Sequence, residues 1–244
     1  MAIRPVTVPR HIAIRPYNIE MNYFITGTDT GVGKTLVSCA LLYGFAAQGK
    51  RVVGMKPVAA GCADDNQHED VTQLRAASNV LASKGQINPY CFTQVVAPHL
   101  AAQFVGINIS FARILESFSE LNAQADVVVV EGAGGFRVPL NAGQDSADLA
   151  EQLALPVVLV VGMRLGCLNH ALLTVEAVAA RGLTLAGWVA NVLDANMSML
   201  NENIAALRQR IEAPLLGVVP YQARPDAIES ATYLNLTLLE QPDS

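Results

Sequence analysis

The feature that most constrains the fold is a series of short, β-branched apolar runs that end in glycine-containing turns. The runs "DVVVVEG" (126–132) and "PVVLVVG" (156–162) are almost continuously apolar, which is typical of strands that a parallel sheet buries on both faces. Further strands are predicted at 22–27, 51–56, 185–193 and 214–220, with helices between strands at 34–49, 169–182 and 200–211. This alternation predicts an α/β fold, namely a single domain with a doubly wound, mostly parallel sheet flanked by helices.

Composition narrows the functional class. The chain has 244 residues, of which 52% are hydrophobic and 15% charged, so it can bury a large core. Its net charge is −5 and it has no run of Lys and Arg, which argues against nucleic acid as a partner. The most apolar segment, "LALPVVLVVGM" (153–163), is too short to cross a bilayer. We therefore expect small-molecule partners, with no nucleic acid and no membrane.

The cysteines and the N-terminus suggest where the protein works. Cys39, Cys62, Cys91 and Cys167 are widely spaced and form no C-x-x-C pair. This spacing argues against a zinc site and a disulfide scaffold and favours a reducing, cytoplasmic location. The first twenty residues precede a second methionine, Met21, and lack the apolar block of a signal peptide. We expect 1–20 to be an extension outside the fold and 21–244 to be the domain.

The segment "FITGTDTGVGKT" (24–35) predicts a phosphate-binding loop of the P-loop NTPase type. It runs from a strand through a glycine turn into a helix, and it ends in Gly33-Lys34-Thr35. In such loops the glycine lets the backbone approach the phosphates, the lysine reaches the β- and γ-phosphates, and the hydroxyl binds Mg²⁺. The usual first glycine is replaced by Thr28. The alternative is a turn that binds nothing, but Lys34 would then be an ammonium at a helix N-terminus, which the helix dipole disfavours.

Charged residues follow two other predicted strands. Glu131 ends a run of four valines, where a Walker-B-like strand carries an acid that binds the metal; alternatively it caps the glycine turn that follows. Lys56 ends the second strand and is predicted to point into the crevice beside the phosphate loop. Its alternative interpretation is a lysine that extends its head group to solvent at a strand edge.

Two loops leave several interpretations open. The acidic loop "DDNQHEDV" (64–71) offers possible metal ligands, and spacing alone does not choose among Asp64, Asp65, Glu69 and Asp70. The segment "VGMRLGCLNH" (161–170) predicts a second turn into a helix that starts near Asn169. The free N–H groups of that helix could bind an anion, although an ordinary strand-to-helix turn explains the same pattern.

Taken together, these motifs resemble the dethiobiotin synthetase family of biotin biosynthesis. The resemblance covers the chain from Met21 to about Leu239, and the G-T-D-T-x-V-G-K-T form of the phosphate loop is itself the family form. It is carried by "FITGTDTGVGKT", "MKPVAAG", "INPY", "APHLAA", "VVVVEGAGG", "LPVVLVVGMRLGCLNHALLT" and "LTLAGWVAN".

The resemblance implies a ligase that uses ATP and Mg²⁺. CO₂ would add to one amine of 7,8-diaminononanoate (diaminopelargonic acid) to give a carbamate. The γ-phosphoryl group of ATP would then activate the carbamate as a carbamic–phosphoric anhydride. Attack by the second amine would close the ureido ring of dethiobiotin and release phosphate. Phosphoryl transfer of this kind needs positioning and positive charge, for which Lys34 and Lys56 are the implied catalytic residues.

The resemblance also assigns the remaining site residues. It selects Asp70 from the acidic loop, and it implies a homodimer in which the second subunit contributes to binding of the substrate carboxylate. Mg²⁺ ligands would be Thr35, Asp70 and Glu131. Substrate contacts would come from Thr30, Lys56, Ala60, Gly166, Cys167 and Asn169. Nucleotide contacts would come from Thr28, Asp29, Thr30, Gly31, Val32, Gly33, Lys34, Thr35, Glu131, Gly134, Asn191, Pro220 and Asp226.

This sequence departs from the family pattern at several positions. Ala60 stands where the family often has serine, Gly31 replaces a larger residue of some relatives, and the segment 221–230, which contains Asp226, differs most. The alternative function is a switch ATPase of the ParA/MinD group, whose loop carries an additional lysine where this chain has Asp29. Cobyrinate-type amide synthases are a further alternative, but they usually append a glutaminase domain.

Overall fold

A computed structural model describes residues 21–63 and 67–239. The predicted extension 1–20 and the acidic residues Asp64 and Asp65 lie outside the described residues. The strands are β1 (Tyr23–Gly27), β2 (Val52–Met55), β3 (Val58–Ala60), β4 (Tyr90–Phe92), β5 (Val127–Glu131), β6 (Val157–Met163), β7 (Leu185–Val192) and β8 (Leu215–Val219). The helices are α1 (Lys34–Ala47), α2 (Glu69–Ala77), α3 (Lys84–Ile87), α4 (Pro98–Phe104), α5 (Phe111–Asn122), α6 (Ser146–Leu153), α7 (Cys167–Ala180), α8 (Leu200–Arg208) and α9 (Ala227–Ala231), followed by a 3₁₀ turn at Leu236–Leu239.

The predicted doubly wound sheet is confirmed. Six strands form one sheet in the order β2-β5-β1-β6-β7-β8, and their neighbouring pairs run parallel. Because the strands are parallel, their carboxyl ends meet at one edge. Strand β1 lies between β5 and β6, so the loop after β1 has the residues that follow β5 directly beside it. This edge is where ligands bind in open α/β sheets.

The valine run of β5 shows why the sheet needs helices on both faces. Val127 and Val129 pack into an apolar cluster with α1 and α2. Val128 and Val130 pack into a separate cluster with α5 and α6. All four valines are fully buried, because successive side chains of a strand point to opposite faces. The uninterrupted apolar run therefore reflects burial on both sides, as predicted.

A small second sheet corrects the prediction about cysteines. Strands β3 and β4 pair in parallel beside the carboxyl edge of the main sheet. This pairing brings Cys62 and Cys91, which are 29 residues apart in sequence, to a Cα–Cα distance of 6.0 Å, and the two form a disulfide. The expectation that the cysteines form no disulfide was therefore wrong. Cys39 and Cys167 are buried free thiols.

The start of α7 also differs from its predicted position near Asn169. Gly166 is the N-cap residue, with a left-handed φ of 94°. Because Gly166 turns the chain directly into the helix, α7 begins two residues earlier, at Cys167. In the described parts of the chain, 21–63 and 67–239, no helix is long and apolar enough to cross a membrane.

Candidate active site

The phosphate-type loop joins β1 to α1 and curls around the side chain of Lys34. Gly33 caps the helix with a left-handed φ of 88°, and the Lys34 Nζ donates a hydrogen bond to the Asp29 carbonyl oxygen at 2.9 Å. Burial, with the neighbouring charge of Lys56 second, lowers the pKa of Lys34 to about 8. The predicted loop is thus present, with its lysine held inside it.

Lys56 follows β2 and is 5% exposed. Its Nζ lies 2.5 Å from Glu131 Oε1 and 2.8 Å from Asp70 Oδ2. Burial alone would lower the pKa of Lys56, but the negative charges of Glu131 and Asp70 outweigh that effect and raise it. The alternative that Lys56 extends to solvent is contradicted, since its head group is buried in an ion-paired cluster beside the phosphate loop.

The three predicted metal ligands lie around that ammonium group. Thr35 Oγ1 donates to Glu131 Oε1 at 2.9 Å. Burial acts to raise the pKa of Asp70, but the charge and hydrogen bond of Lys56 outweigh it and lower the pKa. Within the part of the chain that the structure describes, Glu131 Oε2 is buried without a hydrogen-bond partner. That oxygen is not engaged in capping the glycine turn, and it suits a cation.

The donor set suits Mg²⁺ better than a transition metal. Within residues 21–63 and 67–239, no group of three or more His, Cys, Asp or Glu side chains could hold a metal ion. Thr35, Asp70 and Glu131 together provide one hydroxyl and two carboxylates. Mg²⁺ is commonly bound by one or two carboxylates together with the phosphates of a nucleotide, so these residues fit a nucleotide-bound magnesium ion.

His68 and Asn88 support this cluster, although the sequence predicted a role for neither. His68 is the N-cap of α2, and its Nδ1 accepts a hydrogen bond from the Asp70 backbone N–H at 3.2 Å. Its Nε2 therefore carries the proton and donates to the carbonyl of Ala60 at 3.2 Å. Asn88 Nδ2 donates to the Lys56 carbonyl at 2.6 Å. The motif "INPY" contained Asn88, but only the folded chain shows what it holds.

A cavity of about 840 Å³ opens over these groups. The predicted residues that line it are Asp29, Thr30, Gly31, Gly33, Lys34, Thr35, Lys56, Ala60, Asp70, Glu131 and Gly134. Apolar residues also line it, namely Val58, Ala59, Val95, Val96, Ala97 and Pro98. The two remaining loop residues do not line the cavity: Thr28 Oγ1 accepts from the Gly162 N–H at 3.3 Å, and Val32 is fully buried.

The other predicted nucleotide residues do not line this cavity. Asn191, near the end of β7, is buried, and its Nδ2 donates to the Val32 carbonyl at 2.8 Å. Pro220 follows β8 and is half-buried. The Asp226 carboxylate caps α9 by accepting from the backbone N–H groups of Ile228 and Glu229. Asn191 is thus attached to the phosphate loop, whereas Asp226 is engaged in its own helix.

The predicted carboxylate site also lies apart from the cavity. Gly166 and Asn169 are exposed at the start of α7, while Cys167 is buried. The turn before this helix contacts the phosphate loop, because Arg164 forms an ion pair with Asp29. The backbone hydrogen bond from Thr30 is the main cause that lowers the pKa of Asp29, and Arg164 adds to it. Leu165, beside Gly166, is fully exposed.

Comparison with known families agrees with this geometry. A family model described as an AAA domain matches residues 21–228. The ATP-dependent dethiobiotin synthetase BioD of Aromatoleum aromaticum is 57% identical over 217 residues, which cover 88% of this chain and 96% of the relative. The protein of the same name from Nitrosospira multiformis is 55% identical over 214 residues, covering 88% and 94%. That from Ralstonia nicotianae is 50% identical over 224 residues, covering 91% and 98%.

Solved structures with a similar fold include the MinD cell division protein of Aquifex aeolicus. The TM-score is 0.54 at 13% identity, with 91% of this chain and 98% of that chain covered. The MinC:MinD complex from the same organism gives a TM-score of 0.52 at 12% identity, covering 91% and 97%. At this identity the likeness concerns the fold alone.

Proposed function

Because this chain belongs to the dethiobiotin synthetase family, we propose that it closes the ureido ring of dethiobiotin from 7,8-diaminononanoate and CO₂ with ATP. The observation that carries the proposal is the pairing of a phosphate-type loop with a buried lysine, Lys56, at the edge of one cavity. Lys56 and Lys34 bring two positive charges to the place where phosphoryl transfer develops negative charge. The apolar wall at Val95 and Val96 suits the aliphatic chain of the substrate.

The reaction balances without a covalent enzyme intermediate. One amine of the substrate attacks CO₂, a C–N bond forms, and loss of a proton leaves a carbamate. A carbamate oxygen then attacks the γ-phosphorus of ATP, the bond to the bridging oxygen breaks, and ADP leaves. The second amine attacks the carbonyl carbon of this mixed anhydride. The ring C–N bond forms as the C–O bond to phosphate breaks, and the amine loses its proton.

The residues of the cavity have separate roles in this proposal. Lys34 and the loop N–H groups, with Thr30, bind the phosphates of ATP. Lys56 lies beside the carbamate and the transferring phosphoryl group, where its ammonium stabilises the charge on both. Thr35, Asp70 and Glu131 would hold Mg²⁺, which supplies charge neutralisation for the phosphates when it is bound. His68 holds the backbone of Asp70 and the carbonyl of Ala60 at a fixed separation.

The remaining residues are proposed to bind the adenine end of ATP and the carboxylate end of the diamine substrate. Asn191 would accept or donate a hydrogen bond at the adenine, with Pro220 near the base. Asp226 would contact the nucleotide only by giving up hydrogen bonds with which its carboxylate caps α9. Gly166, Cys167 and Asn169 would bind the substrate carboxylate through backbone and amide groups across a homodimer. The fully exposed Leu165 next to them supports burial of this turn against a second subunit.

A switch ATPase of the MinD type is the second candidate, since the fold is shared with MinD. The alternative requires a cation at position 29, where switch ATPases place a lysine that acts across an ATP-bound dimer. This chain has Asp29, and that carboxylate is paired with Arg164. A loop with the opposite charge at this position favours the synthetase. Dimerisation measured with and without ATP separates the two, because the synthetase dimer should form without nucleotide.

The decisive experiment incubates the purified protein with ATP, Mg²⁺, bicarbonate and 7,8-diaminononanoate and detects dethiobiotin by mass. We expect product only when every component is present. ATP hydrolysis that is independent of the diamine, with no dethiobiotin formed, would refute the proposal. In the same assay Lys56→Ala should retain ATP binding and lose most of its turnover. An unchanged kcat would remove Lys56 from the role given above.

A further inference from the structure

The side chain of Lys56 is ion-paired with both carboxylates that the proposed function assigns to Mg²⁺. Its Nζ contacts Glu131 Oε1 at 2.5 Å and Asp70 Oδ2 at 2.8 Å. Thr35, the third proposed ligand, donates to the same Glu131 oxygen. The ammonium therefore lies among all three groups, bonded to the two carboxylates whose charge a divalent cation would need.

Charge balance makes these two cations competitors. Lys34 and Lys56 offset the carboxylates of Asp70 and Glu131, so the cluster is close to neutral as it stands. A divalent ion on either oxygen of these carboxylates would meet the Lys56 ammonium at short range in a buried site, where repulsion between like charges is poorly screened. Nucleotide phosphates would change the balance, because they bring negative charge that both the metal and Lys56 can share.

The backbone around Lys56 permits its side chain to move while the chain stays fixed. The Lys56 N–H donates to the carbonyl of Ile87 at 2.8 Å. Its carbonyl accepts from Asn88 at 2.6 Å. Lys56 lines the cavity of about 840 Å³ together with the phosphate-loop residues Lys34 and Thr35, so a rotation of the flexible lysine stem would carry the ammonium from the carboxylates toward phosphates bound by that loop.

We propose that Lys56 is an internal counter-cation that excludes a free divalent ion from Glu131 and Asp70, and that metal arriving with nucleotide releases Lys56 toward the transferring phosphoryl group. This inference rests on the proposed function for the identity of the metal ligands. Lys56 would then control when the metal binds, in addition to acting on the substrate. Metal and nucleotide would then bind together, and the metal alone would bind poorly.

Lys34 provides a matched control. It carries the same charge and is buried in the same cavity, but its Nζ is hydrogen-bonded to the Asp29 carbonyl in the loop. Removing the charge of Lys34 changes the general electrostatics of the cluster while Lys56 remains on the carboxylates. Removing the charge of Lys56 also frees the oxygens themselves.

The test measures Mn²⁺ binding to the full, nucleotide-free chain by electron paramagnetic resonance. Lys56→Met should bind Mn²⁺ about tenfold or more tightly than wild type, whereas Lys34→Met should gain only about threefold or less. Adding Glu131→Gln to Lys56→Met should abolish the gain. Equal affinity in wild type and Lys56→Met, or an equal gain in both single variants, would overturn the proposal. The second outcome would mean that Lys56 acts only through the general electrostatics of the cluster and does not hold the carboxylates against the metal.

A second measurement needs no variant that could fail to fold. Lysine labelled with ¹⁵N at Nζ in the wild-type chain should give a Lys56 ammonium signal that shifts with Mg²⁺ and ADP together but not with Mg²⁺ alone at the same concentration. A shift with Mg²⁺ alone would contradict the proposal. Ring closure by wild type is scored separately, so dethiobiotin formation with tight nucleotide-free Mn²⁺ binding would reject only this inference. If Lys56 and the divalent ion compete as described but no dethiobiotin forms, only the proposed function is rejected.

Discussion

Replacing Gly33 by alanine tests whether the phosphate loop is held to β7 by a single amide. A Cβ at Gly33 would lie 2.2 Å from Asn191 Nδ2, far inside van der Waals contact, and that amide donates to the Val32 carbonyl. The substitution also places alanine at a φ of 88°, which costs an L-residue roughly 1–2 kcal/mol. Displacing Asn191 leaves a buried donor and acceptor unpaired, for roughly 1–3 kcal/mol more.

Gly31→Ala is the matched control for this substitution. Gly31 has a comparable φ of 72°, but a Cβ there would meet nothing within 4 Å. We therefore expect Gly31→Ala to lower the free energy of unfolding by roughly 1–2 kcal/mol and Gly33→Ala by roughly 2–5 kcal/mol. Urea denaturation without nucleotide measures both, provided that the m-value is unchanged.

A double-mutant cycle isolates the contact itself. In an Asn191→Ala background the steric conflict is absent, so Gly33→Ala should cost no more than Gly31→Ala does in the wild-type chain. Equal destabilisation by the two glycine variants in the wild-type background would refute the reasoning. So would strict additivity of Gly33→Ala with Asn191→Ala.

Two further predictions concern the disulfide and the loop lysine. Because the Cys62–Cys91 bond spans 29 residues, reduction should lower the free energy of unfolding by roughly 3–4 kcal/mol, and a Cys62→Ser/Cys91→Ser variant should show no response to reductant in urea titrations. A thiol assay that finds four free cysteines in the oxidised protein would contradict this. Burial lowers the pKa of Lys34 in the folded chain from 10.5 to about 8. Between these two pH values the unfolded chain therefore binds more protons than the folded chain. The free energy of unfolding of wild type, relative to that of Lys34→Met, should rise with pH across this window. A difference that is flat or falls with pH, measured by urea denaturation, would argue against a buried, destabilised ammonium.

The sheet could be predicted from sequence because its signals are local. The valine run of β5 is apolar at every position, and burial on both faces is the physical reason. Lys56 and Glu131 each end such a strand, so parallel pairing alone implied that they share one edge. The start of α7 was misplaced because the conformation of one glycine, Gly166, decides where that helix begins.

The supporting contacts of the site could not be predicted in this way. His68 joins Asp70 to Ala60 only because α2 starts next to the β3 turn. Asn88 acts on a backbone carbonyl, which leaves no pattern in the sequence. The disulfide depends on pairing between two three-residue strands, too short to give a clear alternation. In each case the missing information is a tertiary contact between segments distant along the chain.

The hydrogen bond between Asn191 and the phosphate loop limits how the nucleotide preference of this protein could be engineered. If Asn191 also contacts the base, replacing it to accept a different purine would at the same time remove its hydrogen bond to the phosphate loop and weaken binding of the triphosphate. Selectivity and affinity would then change together, and variants screened for a new nucleotide would lose turnover with the old one. Redesign that leaves the asparagine in place avoids this coupling.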